Sequence, residues 1–388
     1  MTRTETLRRI DGHEMRLASG GGRELPVEQT QAWDNFDRAM GREPWGRYVY
    51  EDNGKPVAVI ALTEYTIGGQ KFLWAKHGPV WLKEQSPERE AHLRRLLVNE
   101  VRSLQPEVAF IRMHARYSAP DCHELLNSLT YDRTYVIDLR PKTPEAIAAA
   151  MPKDGRRAVK RAARVAEEAG CSLSDESDIS REDFDAIYGV MLETAERDGF
   201  TPHPIETYWN MLQSLGREHA RLFVLRYEGQ PHVWVLCVTS GVQSVAYYGA
   251  STYESRKFRG AEALDWYCAC VLAEEGYEGY DLMGAGSTRV PELYSVGQYK
   301  KRYAQHVTEV DGAWDVPVNI PIFAALLTAK KGKHLVRGAQ SMALQMPDTL
   351  AQAPTSGEDI VDSVRSHAPR WWRSAKATLT HQISLLRR

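Results

Sequence analysis

The sequence predicts an α+β protein made of two copies of one unit, in the order helix, three antiparallel strands, helix, strand. Three observations predict it: a three-strand meander that occurs twice, a helix-and-strand pattern behind each meander, and a helical pattern ahead of each. At 388 residues the chain has room for two ordinary domains. Its 43% hydrophobic and 26% charged residues are those of a soluble globular protein.

In the first meander Arg47–Glu51 and Val57–Tyr65 read as strands around the turn Asp52-Asn53-Gly54-Lys55-Pro56, and Lys71–Lys76 follows as the third. In the second, Arg221–Tyr227 and His232–Thr239 flank Glu228-Gly229-Gln230-Pro231, and Gln243–Tyr248 is the third strand. Glycine and proline in these turns suit tight antiparallel connections. Leu93, Leu96, Leu97, Val101 and Leu104 then lie at helical spacing before the strand Val108–His114. Leu264, Tyr267, Cys268, Val271 and Leu272 do the same before Gly279–Met283. Helical patterns at Gln31–Met40 and Arg181–Glu196 precede the meanders. This order is that of the acetyltransferase-like (GNAT) layer fold, in tandem. The expected bounds are 1–138 for the first domain, completed by about 306–335, and 139–305 for the second. A linker at 336–362 and a helical tail at 363–388 complete the chain.

The net charge of −2 excludes no class of partner, because the placement of charge decides that. The five cysteines are odd in number and lack zinc-site spacing, and Cys268 and Cys270, one residue apart in an apolar helical pattern, read as buried thiols, which fits a reducing compartment. Residues 1–25 hold no apolar signal segment, and Val318–Leu327, broken by Pro321, is far short of a membrane span of roughly 20 residues. A cytoplasmic location is expected.

Between Met151 and Val165 stand six basic residues and one acidic residue. Arg157, Lys160, Arg161 and Arg164 form one helical stripe, with Arg156 beside it, next to an apolar stripe of Val159, Ala162, Ala163 and Ala166. Such a stripe either neutralises the phosphates of a polyanion or is a solvated face; its clustering in a chain of net charge −2 favours nucleic acid. Tyr247-Tyr248-Gly249-Ala250-Ser251 ends a strand with small residues that let a ligand approach. Gly297–Tyr303 sets cations among tyrosines; as a strand it would put Tyr299, Lys301 and Tyr303 on one face. No nucleophile elbow and no metal-ligand spacing stands out, so neither covalent nor metal-assisted chemistry is favoured. The cofactor loop of the fold needs two small residues at a helix start. Lys257-Phe258-Arg259-Gly260-Ala261-Glu262 has a carboxylate in place of the second, so no acetyl-CoA and no other cofactor is expected.

Taken together, these motifs resemble the Fem family of tRNA-dependent peptidoglycan interpeptide-bridge aminoacyltransferases. The resemblance runs from about Pro26 to Ala313. It rests on the basic segment Lys153–Gly170, on Thr194-Ala195-Glu196-Arg197-Asp198-Gly199-Phe200, on Tyr248–Ser251, on Tyr280–Gly284 and on Gly297–Tyr303, in that order. It implies twin acetyltransferase-like domains, an aminoacyl-tRNA donor, and as acceptor an amine of a nucleotide- or lipid-linked muropeptide. It also implies that the chain returns to the first domain after the second copy. Lys300 matches the lysine that stabilises charge as the ester is attacked, Arg197 the arginine near the acceptor's phosphates, and Tyr248 a tyrosine of the cleft wall, with Tyr247 beside it. Arg38, following Trp33, takes the place of a basic residue at the diphosphate, and the basic helix faces tRNA. Only about fifteen residues lie between Pro204 and His219, so the long helical arm of some members is missing and a compact monomer is implied. A secondary-metabolite acceptor and a non-catalytic binding protein are the alternative readings. Ser363–Arg388, with six Lys or Arg and no acid, has an amphipathic pattern either for anionic lipid or for docking on the enzyme itself.

Overall fold

The computed structural model describes residues 5–22, 25–127 and 130–331; the linker and tail expected at 336–388 lie outside them. The chain opens with β1 (Glu5–Ile10), α1 (Gly12–Ala18) and α2 (Gln31–Ala39), then β2 (Pro44–Asp52), β3 (Lys55–Ile67), β4 (Gln70–Trp74) and β5 (Val80–Trp81). Helix α3 (Pro87–Leu104) and β6 (Phe110–Ala115) follow, then β7 (Arg133–Asp138), α4 (Pro144–Ala150), α5 (Lys153–Glu168) and β8 (Ser172–Asp175). The second meander is preceded by α6 (Arg181–Asp198) and α7 (Ile205–His219) and consists of β9 (Ala220–Tyr227), β10 (Gln230–Ser240) and β11 (Gln243–Ser251). Last come α8 (Gly260–Glu274), β12 (Gly279–Gly284), α9 (Tyr294–Lys300), β13 (Thr308–Glu309) and β14 (Gly312–Pro317).

Two sheets result. The first runs β1-β2-β3-β4-β6-β14 with β5 on β3, the second β13-β7-β12-β11-β10-β9-β8. Each contains one parallel pair, at the corresponding place: β4 with β6, and β11 with β12. A meander whose third strand runs parallel to the strand after its helix therefore occurs twice, as the repeat predicts. The turns match as well, with Asn53-Gly54 and Glu228-Gly229 all at positive φ, the geometry that joins twisted antiparallel strands. The fold is α+β with tandem acetyltransferase-like units.

One correction concerns a boundary. β7, which a first domain ending at 138 would include, is a strand of the second sheet, between β12 and β13. It belongs there because Ile137 enters the same core as Tyr280 and Leu282. β14, in turn, pairs along its whole length with β6 and completes the first sheet. That pairing is locked by a buried ion pair, Arg112 Nε and Nη2 donating to the Asp315 carboxylate at 2.6 and 2.9 Å.

The second sheet is covered on both faces. α5 and α8 bury Val159, Ala162, Leu264 and Cys268 against one. α6 and α7 bury Phe184, Ile187, Met211 and Leu212 against the other, joined by Trp33 and Phe36 of α2. The Trp33 and Phe36 rings are each 2% exposed, and burying a side chain of that size contributes about 1.5–3 kcal/mol. α2 thus fastens the first half of the chain to the second sheet, which fixes the walls of the cleft between them.

Candidate active site

β11 and β12 pair only from Gln243↔Gly279 to Val245↔Asp281, and β11 runs on to Ser251 without β12 beside it. Beside this pair, between it and the segments at Leu25–Glu28 and His77, lies a cavity of about 190 Å³. Its wall includes Glu28, His77, Tyr131, Tyr247 and Asp281. The β10–β11 register shifts between Leu236↔Tyr248 and Cys237↔Ala246, so Tyr247 is the extra residue of a bulge. That is why two successive tyrosines both pack on the α6–α7 side of the sheet. Tyr247 lies 5.7 Å from Trp33, and Tyr248 meets Tyr208 edge-on at 4.9 Å and His203 at 5.8 Å. Burial raises both phenol pKa values, so the hydroxyls stay protonated.

Lys300 closes α9 rather than standing on a strand. Read as a strand, the Tyr-Lys-Lys-Arg-Tyr run would put both tyrosines on one face, but Tyr299 and Tyr303 lie four residues apart in helical and 3₁₀ turns, with ring centroids 5.4 Å apart. α9 can fold here because Gly286 has no side chain, a Cβ there falling 2.6 Å from the Tyr294 backbone. Lys300 Nζ donates to the main-chain oxygens of Met283 at 3.2 Å and Gly284 at 3.0 Å. Burial pushes its pKa down to about 8, against the pull of Asp281 and Asp265. Asp281 itself is raised by burial, even though the Thr134 hydroxyl and the Met283 N–H donate to it. Asp265 on α8 is raised to about 6, chiefly by burial, while the Tyr299 hydroxyl donates to it at 2.7 Å. The ammonium at the end of β12 thus feels the field of both carboxylates.

The other residues singled out by the sequence are spread around this centre. Arg197 ends α6, donates to the Ser251 carbonyl at 2.6 Å and pairs with Asp198 at 2.8 Å. Arg38 is exposed on α2, whereas Arg42 and Arg47 bind Asp37 and Asp34 on that helix, each at 2.7 Å. Arg157, Lys160, Arg161 and Arg164 are exposed along α5, Arg156 is half-buried, and Arg164 also meets Glu168 at 2.8 Å. Ala163 is exposed too, so the apolar stripe is Gly155, Ala158, Val159, Ala162 and Ala166, the set that a straight helix turns to one side.

Sequence reasoning missed the first-sheet side of the cleft. Lys76 Nζ lies 4.9 Å from the Trp74 ring, 5.2 Å from Trp33 and 5.7 Å from Tyr65, and burial lowers its pKa. His77 stacks on His114 at 5.0 Å, and burial holds His114 neutral with a pKa of about 3. No local motif marks these residues; only the packing of one sheet against the other brings them to Tyr247 and Asp281.

The start of α8 does not fit the pyrophosphate of acetyl-CoA. Glu262 occupies its first turn and binds Arg259 at 2.6 Å and Arg302 at 3.0 Å. A phosphate there would meet a carboxylate, and the two cations already have a partner. Among the described residues no group of acidic, histidine or cysteine side chains could hold a metal ion.

Residues 153–301 match the family described as an acetyltransferase (GNAT) domain. The whole arrangement is similar to the crystal structure of FemX, with a TM-score of 0.65 and 15% identity, over 82% of this chain and 99% of that one. The C-terminal domain of a putative lysylphosphatidylglycerol synthetase from Agrobacterium fabrum has a TM-score of 0.48 at 14% identity, over 82% of this chain and 96% of its own. A tandem GNAT protein of the clavulanic acid biosynthesis pathway has a TM-score of 0.46 at 12% identity, over 81% and 97%. No curated protein matches the chain in sequence.

Proposed function

We propose that the protein transfers an aminoacyl group from aminoacyl-tRNA to an amine of a peptidoglycan precursor stem peptide, building the interpeptide bridge. The observation that carries this reading is the Lys300 ammonium, anchored by two carbonyls at the opened end of the β11–β12 pair. The motif resemblance and the fold shared with FemX support it. So do the exposed cations of α5, which suit a polyanionic donor, and Glu262, which opposes the usual acetyl donor.

A tRNA ester is already activated, so the chemistry needs near-attack geometry and a place for the developing negative charge. Lys300 supplies positive charge where water is scarce and the field strong. Tyr248 and Arg197 form the wall along which the acceptor lies, and Arg197 reaches its phosphates. The donor confines the reaction to the cytoplasm, and no helix of the described residues is long and apolar enough to cross a membrane. Incubating the protein with charged tRNA and a panel of nucleotide-linked and lipid-linked muropeptides tests the reading. Absence of aminoacyl transfer to every member would overturn it.

A further inference from the structure

The cavity beside Asp281 contains a carboxylate to which no described residue donates a hydrogen bond. The Glu28 side chain is 5% exposed, and its ion-pair partner is His77, whose Nε2 is 3.6 Å away. That separation exceeds a hydrogen bond, and among the described residues nothing donates to the Glu28 carboxylate. Lining a cavity that water can reach, this carboxylate is free to accept from a donor that enters the space. At about 190 Å³ the cavity has room for a few waters or a short alkyl chain with a polar head.

The lining specifies the polar head. Glu28 and Asp281 are acids, and the aromatic Tyr131 and Tyr247 line the same cavity. His77, 34% exposed, faces Glu28 on one side and the neutral His114 on the other, with Tyr131 at 6.3 Å. Lys76 is a further charged neighbour of Glu28 but is enclosed by its aromatic rings. Asp281, which lines the cavity, lies in the field of both His77 and Lys300 and so links the cavity to the lysine of the candidate active site.

We propose that this cavity seats the accepting amine: Glu28 receives it as a primary ammonium, and His77 removes its proton. The assignment of His77 as base rests on the aminoacyl-transfer reading above; the ammonium seat does not. One proton passes from the ammonium nitrogen to His77 Nε2, and Glu28 stabilises the imidazolium. The freed lone pair forms the C–N bond at the ester carbonyl while Lys300 faces the oxyanion. The C–O bond to the ribose then breaks, and the second nitrogen proton ends on the ribose oxygen. His77 returns its proton to solvent at its exposed edge.

Two measurements on the full chain decide it. In the first, n-butylammonium is titrated into the protein while the His77 ring signals are followed by NMR. A saturable shift is expected, weakened at least about tenfold in Glu28→Gln. No saturation in the wild type, or the same affinity in the variant, overturns the seat. In the second, transfer to a primary amine is compared with transfer to hydroxylamine, which is already unprotonated at neutral pH. His77→Gln should lose about 100-fold in kcat with the amine and far less with hydroxylamine; equal losses overturn its role as base. Should the wild type transfer to neither, the aminoacyl reading and the base assignment fall together, while the first titration still decides the ammonium seat.

Discussion

The Lys300 ammonium donates to the main-chain oxygen of Gly284 at 3.0 Å, so the cation is held by the same strand end that carries Asp281. A charge tethered this way needs little reorganisation when an oxyanion forms beside it. Lys300→Ala should lower kcat by roughly 10²–10³ with little change in the far-UV spectrum or in acceptor affinity. Turnover within a fewfold of the wild type would remove Lys300 from the chemistry.

The pH dependence follows from the same burial. With its pKa pushed down to about 8, Lys300 loses its charge above that pH, and activity should fall there. Lys300→Arg should carry the plateau to higher pH, because a guanidinium stays protonated. For stability the sign is the reverse. The folded state releases this proton near pH 8, while the unfolded chain holds it to about 10.4, so the unfolded state binds more protons in between. Unfolding free energy should therefore gain a positive increment across that window, and Lys300→Met should remove it in denaturant titrations.

What the sequence made legible divides by distance along the chain. The two meanders were readable because Asn53-Gly54 and Glu228-Gly229 punctuate alternating strands, and both signals are local. α9 was not, because Tyr299, Lys301 and Tyr303 would share one face of a strand, and the choice is made by the approach of Tyr294 to Gly286. Lys300, Tyr248 and Arg197 are singled out by short motifs in the second half of the chain. Glu28, Lys76 and His77 carry no motif and reach the cleft only through the packing of Trp33 and Phe36 into the second sheet's core. The bulge at Tyr247 was equally hidden, since a register shift depends on the partner strand.

The exposed stripe on α5 predicts how binding responds to salt. Affinity for aminoacyl-tRNA should fall steeply between about 50 and 200 mM salt, as it does where several phosphates are neutralised. Replacing Arg157, Lys160, Arg161 and Arg164 together should flatten the slope by nearly one unit for each phosphate that is no longer neutralised. Fluorescence anisotropy at four or five salt concentrations measures it, and an unchanged slope would make α5 a solvated face.

The return of β14 to the first sheet can be tested at Arg112 and Asp315, both fully buried. Asp315 also accepts the Leu126 N–H at 2.9 Å, and the Arg112 guanidinium lies 5.1 Å from the Phe72 ring. Asp315→Asn leaves a buried guanidinium without its counter-charge and should cost about 3–5 kcal/mol in urea unfolding. Arg112→Met combined with Asp315→Leu removes both charges and should recover much of that loss. If the double variant is no more stable than the single one, the ion pair is not what fastens β14.

The last prediction couples the basic helix to the lysine. A Cβ on Gly155 would stand 1.8 Å from the main-chain oxygen of Arg302, two residues beyond Lys300, so α5 packs directly on that segment. Alanine raises helix propensity by about 1 kcal/mol over glycine, but overpacking a tight site costs about 1–3 kcal/mol. Here the neighbour is backbone rather than a flexible side chain, so the steric cost should win. Gly189 on α6 is the control: it is exposed, and nothing lies within 4 Å of its Cβ position. Gly189→Ala should raise the unfolding midpoint with activity intact, because only the propensity changes. Gly155→Ala should lower the midpoint and also reduce kcat, since a displacement near 1 Å at a catalytic group can cost about 10²-fold. Loss of stability with full turnover would mean that α5 supports the fold without positioning Lys300.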